Sequence, residues 1–141
     1  MKAISIKQPW ASLVAAGVKT IECRTWKTKY RGPLLICASK GDVEVGEEGD
    51  TLVVPGGLAL GVVELVDILP MTKADLEPAC LPEAWYEDAL KGFAWHVKKL
   101  YEIKPFPVKG KLNLFTVDAK LEKLPPEFKD HYEYLDSLKK A

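Results

Sequence analysis

Apolar and polar positions alternate over residues 2–6, Lys-Ala-Ile-Ser-Ile, as in a strand with one buried face. Pro9 suits the first turn of a helix, where a missing N–H costs nothing. Trp10, Leu13 and Val14 then recur at i, i+3, i+4 and mark one face of a helix running to about Ala16. Gly17 ends it in the manner of a helix C-cap. Residues 20–24 alternate again: Ile21 and Cys23 on one face, Thr20, Glu22 and Arg24 on the other, with Lys19 at the entrance. Residues 25–31 are a polar connection carrying Trp26 and Tyr30, and 33–39 are an apolar run suited to burial on both faces. Residues 41–50, acidic and glycine-bearing, read as an exposed mobile loop.

Pro55-Gly56-Gly57 reads as a turn, and 58–68 as a long strand with Glu64 on the face of Val62 and Val66. Short helices are expected at 72–76 and 82–90, the first with Thr72 as N-cap and Asp75 three residues on. Residues 93–103 and 111–117 read as strands joined through Pro105-Phe106-Pro107 and Gly110, with Trp95 and His96 facing opposite ways. Pro125-Pro126 opens a final helix, about 125–139, whose Phe128, Tyr132, Leu135 and Leu138 dock it onto the body and whose His131 is a surface residue. Many strands and few helices imply an α+β fold, a small mixed β-barrel of about six strands with short peripheral helices. At 141 residues, without repeat or linker, the chain is expected to form a single domain over 1–141.

Charge changes the picture more than composition does. The formal net charge is zero, which argues against a dedicated high-affinity DNA binder. Yet residues 1–40 hold eight Lys/Arg and one acidic residue, 41–90 hold one Lys and twelve acidic residues, and 91–141 hold eleven Lys and seven acidic residues. Either the fold mixes these segments and cancels their fields, or the basic part meets an acidic or phosphorylated partner. No apolar run approaches the ~18 residues of a membrane helix, and the N-terminus lacks a signal-peptide pattern. Cys23, Cys37 and Cys80 have no metal-ligand or redox spacing, so free thiols in a reducing, cytoplasmic compartment are expected. Two histidines and scattered cysteines give no metal site, no phosphate-cradling loop marks a cofactor, and nothing marks an obligate oligomer. A nucleophile–His–acid triad is poorly supported.

What remains is a set of cations interleaved with aromatics. Lys7, Lys19, Arg24, Lys27, Lys29, Arg31 and Lys40 alternate with Trp10, Trp26 and Tyr30, as phosphate attraction plus base stacking requires. Glu22 between Lys19 and Arg24 is either a structural ion pair or the floor of a site, and the residues alone leave both open.

Ile4-Ser5-Ile6-Lys7-Gln8-Pro9-Trp10-Ala11-Ser12-Leu13, followed by Gly17-x-Lys19-Thr20-x-Glu22-x-Arg24, resembles the ASCH domain, a branch of the PUA-like superfamily. Residues 32–39, 59–66, 94–97 and 107–111 resemble its later segments, so the likeness covers roughly 2–118. It implies a PUA-like barrel with a cleft beside it, floored by Lys19, Glu22 and Arg24, with Gln8, Trp10, Ser39 and Lys40 nearby and Trp26 as a wall. Such a cleft would take RNA or a nucleotide-like ligand, Glu22 accepting from an exocyclic amine and the cations meeting oxygens. The alternative it implies is a small hydrolase, either a ribonuclease or an amidohydrolase acting on an acylated cytidine. The amidohydrolase pattern sets a Thr nucleophile three residues after the Lys. Here that position is Glu22, which would serve as general base with Lys19 on the oxyanion and Glu64 or Glu83 as a second carboxylate. A third class is a protein-interaction module that docks through the 41–50 loop or the C-terminal helix.

Overall fold

A computed structural model describes residues 1–139. In chain order the elements are β1 (Lys2–Ile6), α1 (Trp10–Ala15), β2 (Ile21–Arg24), β3 (Gly32–Ala38), β4 (Val43–Glu47), β5 (Asp50–Val54), β6 (Leu58–Pro70), α2 (Tyr86–Ala89), β7 (Phe93–Pro107), β8 (Phe115–Thr116) and α3 (His131–Lys139). Two 3₁₀ turns, Lys73–Asp75 and Glu83–Trp85, precede α2. The architecture is α+β. Six strands form one mixed sheet in the order β2-β7-β6-β3-β1-β8, while β4 and β5 pair with each other. Among the described residues only β1 and β3 run parallel, which the α1–β2 excursion between them permits.

Among the described residues no ladder joins the two end strands of the sheet. The sheet nevertheless curls, because the Arg24 guanidinium in β2 reaches the Ser5 carbonyl in β1 at 3.0 Å. Three register shifts along the β6–β7 pairing give the bend a local cause, since a bulge increases strand twist. Helix α1 lies in the curl. Gly61 of β6 admits it: a Cβ there would come within 3.3 Å of Ala15 Cβ and 3.1 Å of the Tyr101 carbonyl.

The apolar run in β3 is buried on both faces, as its sequence predicts. Leu34, Ile36 and Ala38 join Val14 of α1 in the main core, while Leu35 and Cys37 join Ile103 and Phe115 on the other side. Each such aliphatic side chain contributes about 1.5–3 kcal/mol on burial. A third cluster, with Ile21, Leu76, Ala79 and Ala94, fastens the 71–92 connection beside β2. Thr72 opens that connection as expected, its N–H and hydroxyl both donating to Asp75 Oδ2 at 2.9 and 2.8 Å.

Four expectations are corrected. The segment 41–50 is not a loop but most of a β4–β5 hairpin. Its partner residues Leu52, Val53 and Val54 lie beyond the acidic stretch, so a boundary at Asp50 cuts the alternation in half. The strand expected over 111–117 shrinks to β8, and β7 instead continues through Pro105-Phe106-Pro107. β2 pairs only with Phe93 to His96, and residues 122–124 cover Glu102 to Lys104, so Pro105 and Pro107 fall beyond both partners, on an edge where a missing N–H is tolerated. Helix α3 starts at His131, not near Pro125, because Asp130 Oδ1 accepts the Glu133 N–H at 2.9 Å as an N-cap. Finally, His131 is not a surface residue: it is 1% exposed and held by Glu102 and Ser12. Among the described residues, no helix is long and apolar enough to cross a membrane.

Candidate functional site

The turn after α1 sets the site. Gly17 takes a positive φ of 82°, and the N–H groups of Val18 and Lys19 both donate to the Leu13 carbonyl at 3.0 Å. That places Lys19 at the entry of β2, with its side chain directed inward. The side chain has no exposed surface. Its ammonium donates to the Ala79 carbonyl and lies 3.5 Å from Glu22 Oε1. Burial drives the Lys19 pKa down, and the charge of Glu22 opposes the shift.

Glu22 is held from the other side by Arg24. Nε and Nη2 of Arg24 approach Glu22 Oε2 at 3.0 and 2.8 Å, and Nη2 also donates to the Ser5 carbonyl. Each carboxylate oxygen thus faces one cation. Two oxygens offer about four lone-pair sites, so acceptor capacity remains toward the open side. Cys23, between these residues in sequence, packs toward Ile21 and Ala89 at the margin of the same cleft, donating to the Ala89 carbonyl at 3.6 Å. Burial pushes its thiol pKa up, with Glu22 adding to the shift.

The open side is a cleft of about 1430 Å³. Ser5, Glu22 and Arg24 line its floor. One wall carries Trp10 and Trp85, ring centroids 5.2 Å apart at 42°, with the Trp10 indole N–H donating to the Cys80 carbonyl at 3.3 Å. Trp26 lines it too, edge-on to the buried Trp95 at 4.8 Å. The opposite wall is the loop from Val108 to Asn113. Its cations are Lys7, Arg24, Lys40, Lys109 and Lys111, against the carboxylates Glu22 and Asp88. The chain's zero net charge therefore conceals a cleft whose lining holds more cations than carboxylates.

Of the residues singled out in the sequence, Trp10, Glu22, Arg24, Trp26, Ser39 and Lys40 meet in this cleft. Ser39 Oγ sits 3.1 Å from Ser5 Oγ. Lys19 and Gln8 do not line it. Lys19 stands behind Glu22. Gln8 is buried, donating to Ser12 Oγ and the Pro55 carbonyl at 2.9 Å and accepting from the Ser12 N–H at 3.0 Å. It fastens α1 to the base of the hairpin. Glu64 and Glu83 also lie outside the lining; Glu64 sits in β6 opposite Pro33 and Lys98. Sequence reasoning missed Trp85, Lys109, Lys111 and Leu112. The Lys109-Gly110-Lys111 spacing is visible in the sequence, but as a connection leading into the strand expected over 111–117 it carries no sign of a cleft.

A second polar cluster lies away from the cleft. His131 Nε2 is 3.0 Å from Ser12 Oγ, and His131 Nδ1 is 2.5 Å from Glu102 Oε1. The bonding order is that of a Ser–His–acid triad, yet all three residues are buried and none lines the cleft. The cluster ties α1, β7 and α3 together. Lys99 Nζ meets Glu102 Oε2 at 3.0 Å. Burial pushes the Glu102 carboxyl up, but hydrogen bonds from His131 and Lys99 outweigh it and hold the pKa below the usual value. Among the described residues, no group of three His, Cys, Asp or Glu is placed to hold a metal ion.

Comparison with known proteins completes the picture. The ASCH domain model matches residues 4–107. Activating signal cointegrator 1 of Homo sapiens and that of Mus musculus are each 31% identical over 134 residues, covering 84% of this chain. The chain spans only 22% of the length of each of these relatives. The crystal structure of ASCH from Zymomonas mobilis superposes with a TM-score of 0.59 at 18% identity, covering 97% of this chain and 94% of the other. A mutant form of the same protein gives a TM-score of 0.62 at the same identity and coverage. At that identity the likeness speaks to fold. The family model covers most of the chain, and its Gly-x-Lys-x-x-Glu-x-Arg segment supplies the floor of the cleft: the chain belongs to the ASCH domain family.

Proposed function

We propose that the cleft binds RNA, seating one base against the tryptophan wall with its polar edge toward Glu22. The observation that carries this reading is the pairing of a clamped carboxylate with five cations and two adjacent, tilted indoles in one open cleft. A base needs an aromatic face and a directed acceptor for an exocyclic amine, while its backbone needs cations. Arg24 and the rim lysines meet oxygens. Lys19 acts one step removed: it positions Glu22 and does not touch the ligand, which revises the role its sequence motif implies. The hydrolase alternative needs a nucleophile or a second carboxylate near Glu22. Position 22 holds no Thr, and Glu64 and Glu83 lie elsewhere; of the groups that do line the cleft, Asp88 is exposed and pairs with Lys91 at 3.5 Å, and the hydroxyls of Ser5 and Ser39 meet each other and not a general base, so binding is the reading carried forward.

The test is fluorescence anisotropy of a labelled single-stranded RNA with wild type and Trp85→Ala. Trp85 is 48% exposed, so its loss leaves the core intact. Loss of one stacking face costs about 1–3 kcal/mol, an affinity drop of roughly fivefold to a hundredfold. Wild type that fails to bind, or a variant that binds equally well, rejects the proposal.

A further inference from the structure

The loop from Val108 to Leu114 is anchored at both ends and yet presents an apolar side chain to water. Its first residue is fixed by Val108 N–H donating to the Gly57 carbonyl at 3.0 Å. Gly110 then lies directly on the cleft floor: a Cβ there would come within 2.5 Å of Ser5 Oγ. At the far end Leu114 packs against the main core and Phe115 is buried in β8. Between these anchors Asn113 takes a left-handed φ of 58°, and Leu112 is 91% exposed. No other large hydrophobic among the described residues is as exposed. A singly exposed leucine needs no explanation by itself. This one lines the cleft, one residue after Lys111 and three after Lys109, both exposed and without an ion pair among the described residues.

We infer that Leu112 is a wedge: it inserts between the base held in the cleft and the next base of the strand, while Lys109 and Lys111 hold the flanking phosphates. The inference rests on the RNA reading and deepens it, since it makes the ligand a stacked strand and not a free nucleotide. Apolar side chains are suited to this because they fill the gap left by an unstacked step without asking for hydrogen bonds. The anchored loop keeps the leucine from turning back onto the protein, and the two ammonium groups bring the strand to it.

The experiment uses an oligoadenylate RNA carrying 2-aminopurine, whose fluorescence rises when it leaves the stack. Saturating wild type is expected to raise the emission at least about twofold. Leu112→Ala should abolish the rise and weaken binding by about threefold to tenfold, with the salt dependence unchanged because the lysines remain. Circular dichroism confirms that the variant is folded. Wild type that binds without a rise in emission overturns the wedge and leaves the RNA reading standing. So does a variant whose emission rises as the wild type's does. Wild type that does not bind at all rejects the RNA reading beneath it.

Discussion

Replacing Lys19 by Met tests how the floor of the cleft is built. The ammonium is sealed from solvent, bonded to the Ala79 carbonyl and 3.5 Å from Glu22. Methionine keeps most of the apolar stem and removes the donor. The Ala79 carbonyl is then left without its partner, at about 1–3 kcal/mol. Glu22 loses one of two cations but keeps Arg24, and the desolvated charge disappears, which offsets part of the loss. The net expectation is a destabilisation of about 2 kcal/mol. With a urea m-value of roughly 2 kcal/mol/M, the midpoint falls by about 1 M. Lys19→Ala adds a cavity and loses more.

The same residue gives a pH signature. Its folded pKa lies below its unfolded value because burial disfavours the charged form. Between those two values the unfolded chain holds the proton and the folded one does not, so stability rises with pH across that window. Urea midpoints measured from pH 7 to 10.5 should show this rising component in wild type and lack it in Lys19→Met. A variant within 0.5 kcal/mol of wild type, per the usual scatter of surface substitutions, would refute the burial argument.

His131→Ala leaves Glu102 and Ser12 without their shared partner in the interior. The expected cost is about 3–5 kcal/mol, for the cavity a large buried ring leaves and the hydrogen bonds lost with it, read in urea denaturation, with faster hydrogen exchange in α3 as the local sign. Glu102 is held below its ordinary pKa, so its contribution is present above the unfolded value and lost as pH falls through the folded one. Acid titration of stability should therefore flatten in Glu102→Gln. Cys37 is fully buried and its pKa is pushed up to about 12. A thiol reagent at pH 8 should modify it only as the protein unfolds, which mass spectrometry across a urea series would show.

Local periodicity was a sound guide in β2 and β3. Alternation over Thr20 to Arg24 placed Glu22 and Arg24 on one face, and the structure joins them through Glu22 Oε2. The unbroken apolar run of β3 predicted burial on both faces for the same reason. Lys19 was misjudged because its partner is a carbonyl sixty residues away, which no spacing reveals. His131 was misjudged likewise, since Glu102 and Ser12 come from β7 and α1. The acidic hairpin was hidden because five carboxylates over residues 42–50 mask a valine alternation that only Leu52 to Val54 completes. The cleft itself was half visible. Its floor follows from a local motif, whereas the Trp85 wall and the Lys109–Lys111 loop meet that floor only through tertiary folding.

The central claim is that a cation-lined cleft holds RNA, and salt reports on it most directly. Anisotropy should be measured across a salt series for wild type and for Lys109→Ala/Lys111→Ala. Each phosphate contact on a single strand contributes about 0.7 to the slope of log K against log salt. The account predicts steep weakening with salt in wild type and a slope shallower by about 1.4 in the double variant. Affinity that ignores salt, or a slope that the two substitutions leave unchanged, would contradict it.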